Sequence, residues 1–531
     1  MLLLALSVVA AACSSGSGSG GTGTDPSTPS GPSATGPREG GTLTVAVASD
    51  PASWSPAGEA WDTAQLQAAR AVYDRLLSRD VDDVPVPELA TAVEPNADFT
   101  QWTITLRRGV TFHDGTPLDA PAVAANLEAQ RTSAHAYALL APVEAVRVVG
   151  ADTVVVATDS PWSTFPQVLT TQVGYIAAPS VLSGASATPV GTGPFTFGGQ
   201  EAGTVELTRN EGYWRAGLPH LDAVRLVTIP EAADRVDAVL DGTVDVAAVD
   251  EPRQVARLDE AVDGRPVTVL EDRNGERPKV NLAFDTGRPP FDHITARRAV
   301  GLATDREEIL EKVFDGEGTV SRGMLSDASP WFSDNAPPSR DLDRARRQVE
   351  LYTDENGQPI TFQLLVPPDP TLTRVASVWR LQLAEAGIDV ELVPVAVGDL
   401  LVATLTGQYQ AALTVGFSDP HPDLYEPLFR GIPAEQPAIN TNITRYVNPV
   451  VTKAFADARQ TGDVARQVDD YRIVQEQVAV DTPYLFLIQV RSVVMVNDRL
   501  RDITTWVSGA GPTSLSDQAV TVSLAELWFA P

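Results

Sequence analysis

The chain has 531 residues, of which 43% are hydrophobic and 20% are charged, and this balance is typical of a folded globular protein. The length is too great for one hydrophobic core and predicts several domain-sized units or two large lobes. The 39 basic and 69 acidic residues give a net charge of −30 at pH 7. An acidic surface repels phosphate groups, so we expect no nucleic-acid partner and no polybasic attachment to a membrane.

The amino terminus has the pattern of an export signal. Residues 2–12 form an apolar run that ends at Cys13, and the run is too short for a bilayer span, which needs roughly 20 residues. Small residues precede Cys13, the only cysteine of the chain, and this arrangement resembles a bacterial lipobox. The resemblance implies a signal peptide over residues 1–13 and lipid attachment at the Cys13 thiol. No Lys or Arg precedes Arg38, so we expect the natural start to lie further upstream.

Residues 14–40 consist almost entirely of Ser, Gly, Thr and Pro, and such a segment cannot bury enough apolar surface to fold. We expect a disordered linker that reaches about 5–6 Å times the square root of its length. Together with acyl chains on Cys13, this linker would hold a folded body near the membrane. The expected location is therefore extracytoplasmic, with lipid anchoring to the outer face of the cytoplasmic membrane.

Local periodicity predicts both strands and helices in the body of the chain. Strands are predicted at residues 41–49, 102–106, 145–157 (a pair), 204–208, 223–229, 244–246, 360–366, 388–395 and 411–415, and residues 484–496 predict a long strand folded as a hairpin. Helices are predicted at residues 61–76, 121–132, 232–241, 297–309, 372–386 and 470–480. The two kinds of element do not alternate strictly, so we expect an α/β protein with two lobes.

Residues 102–119, WTITLRRGVTFHDGTPLD, combine a strand, a turn and the start of a helix. Asp114-Gly115 is a strong turn signal, and Asp119 is placed to cap the helix that follows. This string resembles the signature of the family 5 extracytoplasmic solute-binding proteins, the peptide- and nickel-binding components of ABC importers. Three further segments are similar to the same family: residues 189–196 (PVGTGPFT), 209–214 (RNEGYW) and 280–310.

The resemblance implies a two-lobed clamshell of the periplasmic-binding-protein type (type II, the large class with an extra domain), with mixed sheets flanked by helices. It also implies that the chain crosses between the lobes twice, and we place the crossings near residues 265–279 and near Val490. The expected domains are residues 41–60, 185–268 and 490–531 for lobe I, residues 61–184 for an extra domain attached to lobe I, and residues 269–489 for lobe II.

The body lacks the sequence motifs that catalysis or a resident cofactor would need. It contains no cysteine, no HExxH, no GxSxG, no Walker loop and no GxGxxG. The histidines are scattered, without the spacing of metal ligands: His113, His135, His220, His293 and His421. We therefore expect a binding protein without catalytic residues, metal or cofactor.

A binding protein needs a cleft with aromatic walls and a few well-placed polar groups. Residues 415–423 (VGFSDPHPD) follow directly after a predicted strand. The resemblance implies that Phe417 and Asp419 occupy the places of an aromatic residue and an aspartate that pair with peptide ligands, the carboxylate binding the ligand's α-ammonium group. The residues alone also allow Asp419 to cap a loop in an Asp-Pro turn.

Four further residues are candidates for the ligand site: Trp54 after the first strand, Tyr137 in the extra domain, and Arg273 and Asn274 where the chain changes lobe. Ala247 and Ala248 lie where peptide-binding relatives often carry a larger, ligand-facing side chain. We therefore expect a pocket of a different shape, and the ligand stays open among a peptide, a nickel chelate, haem and a sugar.

The resemblance implies a monomeric, lipid-anchored receptor that captures a small solute, expected to be a peptide, and delivers it to the permease subunits of an ABC importer. A ligand that contacts both lobes would favour the closed state by its differential affinity. The residues alone leave two alternatives open. One is a secreted hydrolase with catalytic groups in the cleft, and the other is a surface protein that binds large partners on an outer face.

Overall fold

The computed structural model describes residues 36–80, 82–271, 276–431, 439–503 and 521–531, together with the backbone of residues 507–508 and 511–512. The predictions for the signal peptide, for most of the linker and for Cys13 lie outside the described residues, as do those for Arg273 and Asn274. Among the residues described, no helix has both the length and the hydrophobicity that crossing a lipid bilayer requires.

The chain up to Leu270 contains the elements of the first sheet and of a smaller one. Its strands are β1 Thr42–Val47, β2 Leu77–Arg79, β3 Pro85–Pro87, β4 Ala90–Pro95, β5 Gln101–Leu106, β6 Val143–Val148, β7 Thr153–Thr158, β8 Phe195–Glu201, β9 Thr204–Arg209, β10 Ala223–Thr228, β11 Val246–Val249 and β12 Val267–Leu270. Its helices are α1 Thr63–Val72, α2 Ala120–Thr132, α3 Phe165–Val168, α4 Pro179–Leu182, α5 Ala232–Leu240, α6 Pro252–Ala256 and α7 Leu258–Ala261, with a 3₁₀ helix at Gln172–Gly174.

The rest of the chain builds a second sheet and then returns to the first. Its strands are β13 Lys279–Phe284, β14 Thr319–Val320, β15 Thr361–Val366, β16 Asp389–Pro394, β17 Ala411–Gly416, β18 Tyr484–Gln489, β19 Val493–Asn497, β20 Leu500–Arg501, β21 Val507–Ser508, β22 Gly511–Pro512 and β23 Trp528–Phe529. Its helices are α8 Ile294–Ala303, α9 Arg306–Phe314, α10 Leu342–Asn356, α11 Pro370–Glu385, α12 Val397–Thr406, α13 Pro449–Arg459 and α14 Val464–Asp481, with a 3₁₀ helix at Pro422–Leu428.

The first sheet has the strand order β12-β19-β11-β1-β10-β9-β8, and β1 pairs in parallel with both of its neighbours. Alternate residues of β1 supply two different cores, because successive side chains of a strand point to opposite faces. Val45 packs in the core that contains α1, whereas Ala46 packs in the core that contains α5 to α7. We call this sheet with the helices packed on it lobe I.

The second sheet has the strand order β14-β18-β13-β17-β15-β16. β15 pairs in parallel with β16 and β17, so the β-α-β unit predicted over residues 360–395 is confirmed. The central strand β13 is buried along its whole length. Leu282 faces the core that contains Trp379, and Ala283 faces a second core that contains Phe417 and Tyr484. We call this sheet with its helices lobe II.

A third, antiparallel sheet has the order β4-β5-β7-β6. Trp102, Ile104 and Leu106 of β5 are buried on one face, as their alternation predicts. Asp119 accepts a hydrogen bond from the backbone N of Ala122 at 2.9 Å, which confirms the predicted cap of α2. We call this sheet, together with β2, β3 and α2 to α4, the small domain.

The chain leaves the sheet of lobe I after β12, enters that of lobe II at β13, and returns between β18 and β19. The predicted hairpin at residues 484–496 is therefore wrong, since its two halves belong to different sheets. Near these crossings Arg491 forms ion pairs with Glu271 at 3.3 Å and with Glu317 at 2.7 Å. The predicted domain limits stay a proposal. We move the start of the extra domain from residue 61 to about Tyr73, because α1 packs in the core of lobe I.

The segment predicted as one helix at residues 297–309 is two helices, α8 and α9. Asp305 marks the break between the two helices. Its side chain accepts a hydrogen bond from the backbone N of Glu308 at 3.0 Å and thereby caps α9. Gly301, although a poor helix former, lies inside α8 and does not cause the break.

Candidate functional site

Two of the family-like segments meet at a structural joint. The ring of His113 donates from Nε2 to the carbonyl of Gly193 at 3.0 Å, and its backbone N donates to the carbonyl of Gly191 at 2.9 Å. A Cβ at Gly191 would lie 2.1 Å from the carbonyl oxygen of Val72, so no larger residue fits there. Burial lowers the pKa of His113, which keeps the ring neutral at pH 7.

A third family-like segment closes the same joint around Asp74. The buried Asp74 carboxylate accepts hydrogen bonds from Thr192 Oγ1 at 2.8 Å, Tyr213 Oη at 3.0 Å and Trp214 Nε1 at 2.8 Å. All of these donors are satisfied by one acceptor, as buried polar groups require. We conclude that these motifs fasten the end of α1 to the loops around it.

Asp419 lies just beyond β17 in lobe II, and its half-buried carboxylate forms no hydrogen bond or ion pair with any residue that the structure describes. Its backbone carbonyl is held by the hydroxyl of Tyr425 at 2.6 Å. Burial raises the pKa of Asp419, and the nearby Arg79 of the small domain opposes this rise. The carboxylate is therefore an acceptor without a donor, placed where lobe II meets the small domain.

Phe417 supports this strand end from within lobe II. Its side chain is only 6% exposed, and its ring lies 4.9 Å from the ring of Tyr425 and 5.0 Å from that of Tyr484. The backbone of Phe417 has a φ of 57°, a left-handed conformation that a bulky residue adopts only when its surroundings hold it there. The ring is therefore part of a core and does not present a free face to a ligand.

A buried ion pair fixes the same strand end, and sequence reasoning missed it. Lys279, at the start of β13, pairs with Glu276 and also donates to the carbonyl of Phe417 at 2.9 Å. Glu276 accepts further hydrogen bonds from Ser326, from Oγ at 2.7 Å and from the backbone N at 2.8 Å. No sequence pattern marked Lys279, because buried lysines are exceptions to the usual exposure of that residue type.

Lobe I contributes a cavity of about 170 Å³ at the carboxyl ends of β1 and β11, the edge where open α/β sheets bind ligands. Ser49, Asp62, Ala248 and Asp250 are among its lining residues. Asp250 keeps 66% of its side-chain surface exposed, yet burial raises its pKa, with Arg235 opposing the rise. Both observations fit a concave surface that protein surrounds and water still enters.

The two lobes approach each other beside this cavity. Glu251, next to Asp250 in the chain, forms an ion pair at 3.6 Å with Arg374 of lobe II. Asp369 of lobe II adds to the rise in the pKa of Asp250, so the two carboxylates interact across the gap. The cavity therefore lies at the boundary between the lobes, as a ligand site of a clamshell requires.

The remaining predicted residues lie elsewhere. Trp54 packs its half-buried ring on Phe197 at 5.3 Å, and its carbonyl accepts from the hydroxyl of Tyr73 at 2.7 Å. Tyr137 lines a separate cavity of about 540 Å³ between the small domain and lobe II, whose lining does not include Asp419. Within the described part of the chain, no three His, Cys, Asp or Glu side chains converge as metal ligands would.

Comparison with known proteins places this architecture. A family model for bacterial extracellular solute-binding proteins, family 5 Middle, matches residues 84–431. The glutathione-binding protein GsiB of Pectobacterium atrosepticum is 25% identical over 451 residues, which cover 81% of this chain and 85% of that protein. Protein XP55 of Streptomyces lividans is 28% identical over 511 residues, which cover 92% of this chain and 91% of that protein.

The fold has close counterparts among solved structures. The ABC transporter-associated periplasmic binding protein DppA of Helicobacter pylori, in complex with the peptide STSA, matches with a TM-score of 0.79 at 20% identity. The match covers 93% of this chain and 99% of that one, which confirms the predicted two-lobed α/β architecture. Because the family model spans well over half of the sequence, the chain belongs to the bacterial extracellular solute-binding proteins of family 5.

Proposed function

We propose that this extracytoplasmic solute-binding protein captures a peptide with a free α-ammonium group and delivers it to the permease subunits of an ABC importer. The observation that carries the proposal is the Asp419 carboxylate, which is half-buried and has no donor among the described residues. A ligand ammonium group would supply up to three donors and the missing positive charge.

The carboxylate of Asp419, which has no donor among the described residues, favours a cationic ligand group over a neutral one at this position. A hydrogen bond to a charged group contributes roughly 1.5–3 kcal/mol, and a buried charge left unpaired costs a comparable amount. A ligand without a positive charge would therefore bury Asp419 without compensation. Burial raises the pKa of Asp419, and Arg79 opposes this rise, so the charge of Arg79 supports the ionised form that an ammonium group needs.

The peptide class has two further supports. One relative is named as a glutathione-binding protein, and the matching DppA structure holds a tetrapeptide. The lobe I cavity of about 170 Å³ is lined by the small side chain of Ala248, which leaves room for a ligand group of similar volume. We propose that the ligand spans from this cavity to Asp419 and thereby favours the closed state.

The other predicted site residues receive different proposed roles. We propose that Phe417 positions Asp419 through the aromatic core of lobe II, and that Trp54 supports the loop after β1. Tyr137, Arg273 and Asn274 stay proposals for ligand contact.

We also propose that Cys13 carries the lipid anchor and that the protein acts as a monomer. Metabolic labelling with an alkyne analogue of palmitate checks the anchor, and we expect the label to disappear in Cys13→Ser. Unchanged labelling of that variant would exclude Cys13 as the attachment site. Sedimentation of the Cys13→Ser protein checks the monomer, and a concentration-independent dimer would contradict it.

Isothermal titration tests the ligand proposal on the full chain carrying Cys13→Ser. We expect trialanine or glutathione to bind with micromolar affinity, about −8 kcal/mol, and N-acetyl-trialanine to bind roughly 10–100-fold more weakly than trialanine. Asp419→Asn keeps the shape of the side chain and removes its charge, so we expect the same loss for trialanine. Asp399→Asn is the matched control, because Asp399 is an exposed residue of lobe II in the first turn of α12.

Native mass spectrometry of the same protein identifies any solute that co-purifies. A peptide recovered at its original mass after incubation supports capture without chemistry. Two outcomes would contradict the proposal. One is an Asp419→Asn variant that binds trialanine as tightly as its parent, and the other is a co-purified ligand without any basic nitrogen.

A further inference from the structure

The short segment that carries Asp419 also carries a second carboxylate, Asp423, whose surroundings differ completely. Asp423 is fully buried, and both of its oxygens are used. Its Oδ1 accepts a hydrogen bond from Arg459 Nε of α13 at 2.7 Å, within lobe II. Its Oδ2 accepts from Trp162 Nε1 at 2.9 Å and from Thr164 Oγ1 at 2.7 Å, both in the small domain.

Several other contacts join the small domain to lobe II around this carboxylate. Ser163 donates from its backbone N to the carbonyl of Arg459 at 2.8 Å, and Gln467 donates to Ser163 Oγ at 3.1 Å. The guanidinium of Arg459 lies 4.9 Å from the ring centre of Trp162. Leu424 of lobe II packs in the apolar core of the small domain.

Separation of the small domain from lobe II would break some of the hydrogen bonds of Asp423 and keep others. Asp423 would keep Arg459, because both belong to lobe II. Trp162 Nε1 and Thr164 Oγ1 would lose the acceptor that the described residues provide for them, and the Asp423 carboxylate would lose two of its three described donors. Hydrogen bonds to a carboxylate in a dry environment are stronger than neutral ones, so the docked arrangement is favoured by these two bonds.

We propose that Asp423, Trp162 and Thr164 form a latch that holds the small domain on lobe II when the protein closes. The latch is coupled to the ligand site by the chain itself, since Asp423 follows Asp419 by four residues and Tyr425 holds the Asp419 carbonyl at 2.6 Å. Its link to the ligand rests on the proposed function, whereas the latch contacts do not depend on it. A ligand ammonium group on Asp419 would fix the segment that presents Asp423 to the small domain.

Distance measurements between spin labels test the latch in the ligand-free protein. The Cys13→Ser chain has no cysteine, so Val149→Cys in the small domain and Val464→Cys in lobe II give two specific labelling sites. These side chains are 61% and 59% exposed, which makes both accessible to the reagent. Thr164→Val removes one latch donor and keeps the side-chain shape. We expect it to increase the population of long label-to-label distances, relative to short ones, roughly 10-fold.

Thr158→Val is the matched control. Thr158 is a similarly buried threonine of the small domain, but its hydroxyl donates to the carbonyl of Ser160 at 2.7 Å, within that domain. We expect this variant to keep the distance distribution of the parent. Trp162→Phe supplies a second latch variant if Thr164→Val folds poorly.

An unchanged distribution in both latch variants would overturn the proposal, and so would an equal shift in Thr158→Val. The measurement needs no ligand, so its outcome is independent of the binding tests on Asp419→Asn. Dissociation of trialanine then checks the coupling, and we expect a roughly 10-fold faster rate in Thr164→Val with the same association rate. Loss of trialanine binding in the parent would count against the proposed function alone.

Discussion

Asp419 and Asp423 lie four residues apart, and their surroundings give the two carboxylates opposite ionisation behaviour. Burial raises the pKa of Asp419, and the nearby Arg79 opposes this rise. Burial also opposes ionisation of Asp423, but the charge and hydrogen bond of Arg459 outweigh it and lower the pKa of that group. The carboxylate of Asp419 thus lacks a hydrogen-bond donor among the described residues, whereas that of Asp423 has its donors within the protein.

We expect Asp419→Asn to raise the melting temperature of the ligand-free protein at pH 7. The folded state raises the pKa of Asp419 above the ordinary value of 3.8, so it binds this proton more tightly than the unfolded chain does. Stability is therefore lost as the pH rises above 3.8 toward the raised pKa of the folded state. Thermal denaturation at pH 7 and pH 3 checks the prediction, with a smaller gain expected at pH 3, where the carboxyl group is largely protonated in both states. A lower melting temperature at pH 7 would contradict it.

The buried ion pair of Lys279 and Glu276 gives a second prediction. Lys279→Met leaves Glu276 buried without its cation, and removal of one partner of a buried pair costs roughly 3–5 kcal/mol. The double variant Glu276→Gln/Lys279→Met should recover a large part of this loss. Urea denaturation measures all three proteins.

Lys453→Met is the control for the ion-pair experiment. Lys453 forms an exposed pair with Asp457 on α13, and such pairs contribute roughly 0–1 kcal/mol. A loss at Lys279 no larger than that at Lys453 would show that the buried pair does not support the strand end.

At the scale of single elements, the loop of residues 189–196 is fixed by close backbone contact with α1. Gly191→Ala places a Cβ 2.1 Å from the carbonyl oxygen of Val72, and we expect a loss of roughly 1–3 kcal/mol or more in the free energy of unfolding. Gly398→Ala is the matched change, because a Cβ at Gly398 meets nothing within 4 Å and α12 would gain a better helix former. Urea denaturation should give opposite signs for the two variants, and equal signs would contradict the close-contact explanation.

Many elements could be predicted because their cause is local. The alternation in β5 and the cap at Asp119 depend on residues next to each other in the chain, and both were found. The highly charged α10 was missed, because only Ala345 and Tyr352 of that helix are buried and its apolar stripe is thin. The predicted pairing of residues 484–496 as a hairpin was wrong, since sheet membership depends on distant strands and leaves no local pattern.

The site shows the same division between local and distant causes. Asp419 was predicted as a ligand-binding residue because its position after a strand resembled a family motif, and this role stays a proposal. The lack of a partner for its carboxylate, its proximity to Arg79 and the role of Lys279 all depend on contacts between distant parts of the chain. The burial of the Phe417 ring in the second core of lobe II likewise depends on contacts with Tyr425, Tyr484 and Phe486, which no local pattern shows.

At the scale of the whole molecule, the two lobes are joined by two segments that share an ion-pair network. Arg491 lies in one crossing and pairs with Glu271 in the other and with Glu317 beside β14. We expect Arg491→Met to increase motion between the lobes, because it removes the cation that joins Glu271 to Glu317, although Glu271 keeps its ion pair with Arg277. Small-angle X-ray scattering of the ligand-free protein should give a larger radius of gyration.

Arg225→Met is the control for the crossing experiment, since Arg225 pairs with Glu206 at 2.8 Å within the sheet of lobe I. It should leave the radius of gyration unchanged. A radius that is also unchanged in Arg491→Met would mean that the network does not restrain the lobes.

The position of β19 between β11 and β12 has a consequence for how the chain is made. Lobe II takes its sheet from one unbroken stretch, Lys279 to Gln489, and ribosomes complete that stretch first. Lobe I cannot complete its sheet until Val493–Asn497 has emerged, so a stop codon before Val493 spares the strands of lobe II and separates the edge strand β12 of lobe I from the rest of its sheet. Folding of lobe I therefore waits until every strand of lobe II has been translated.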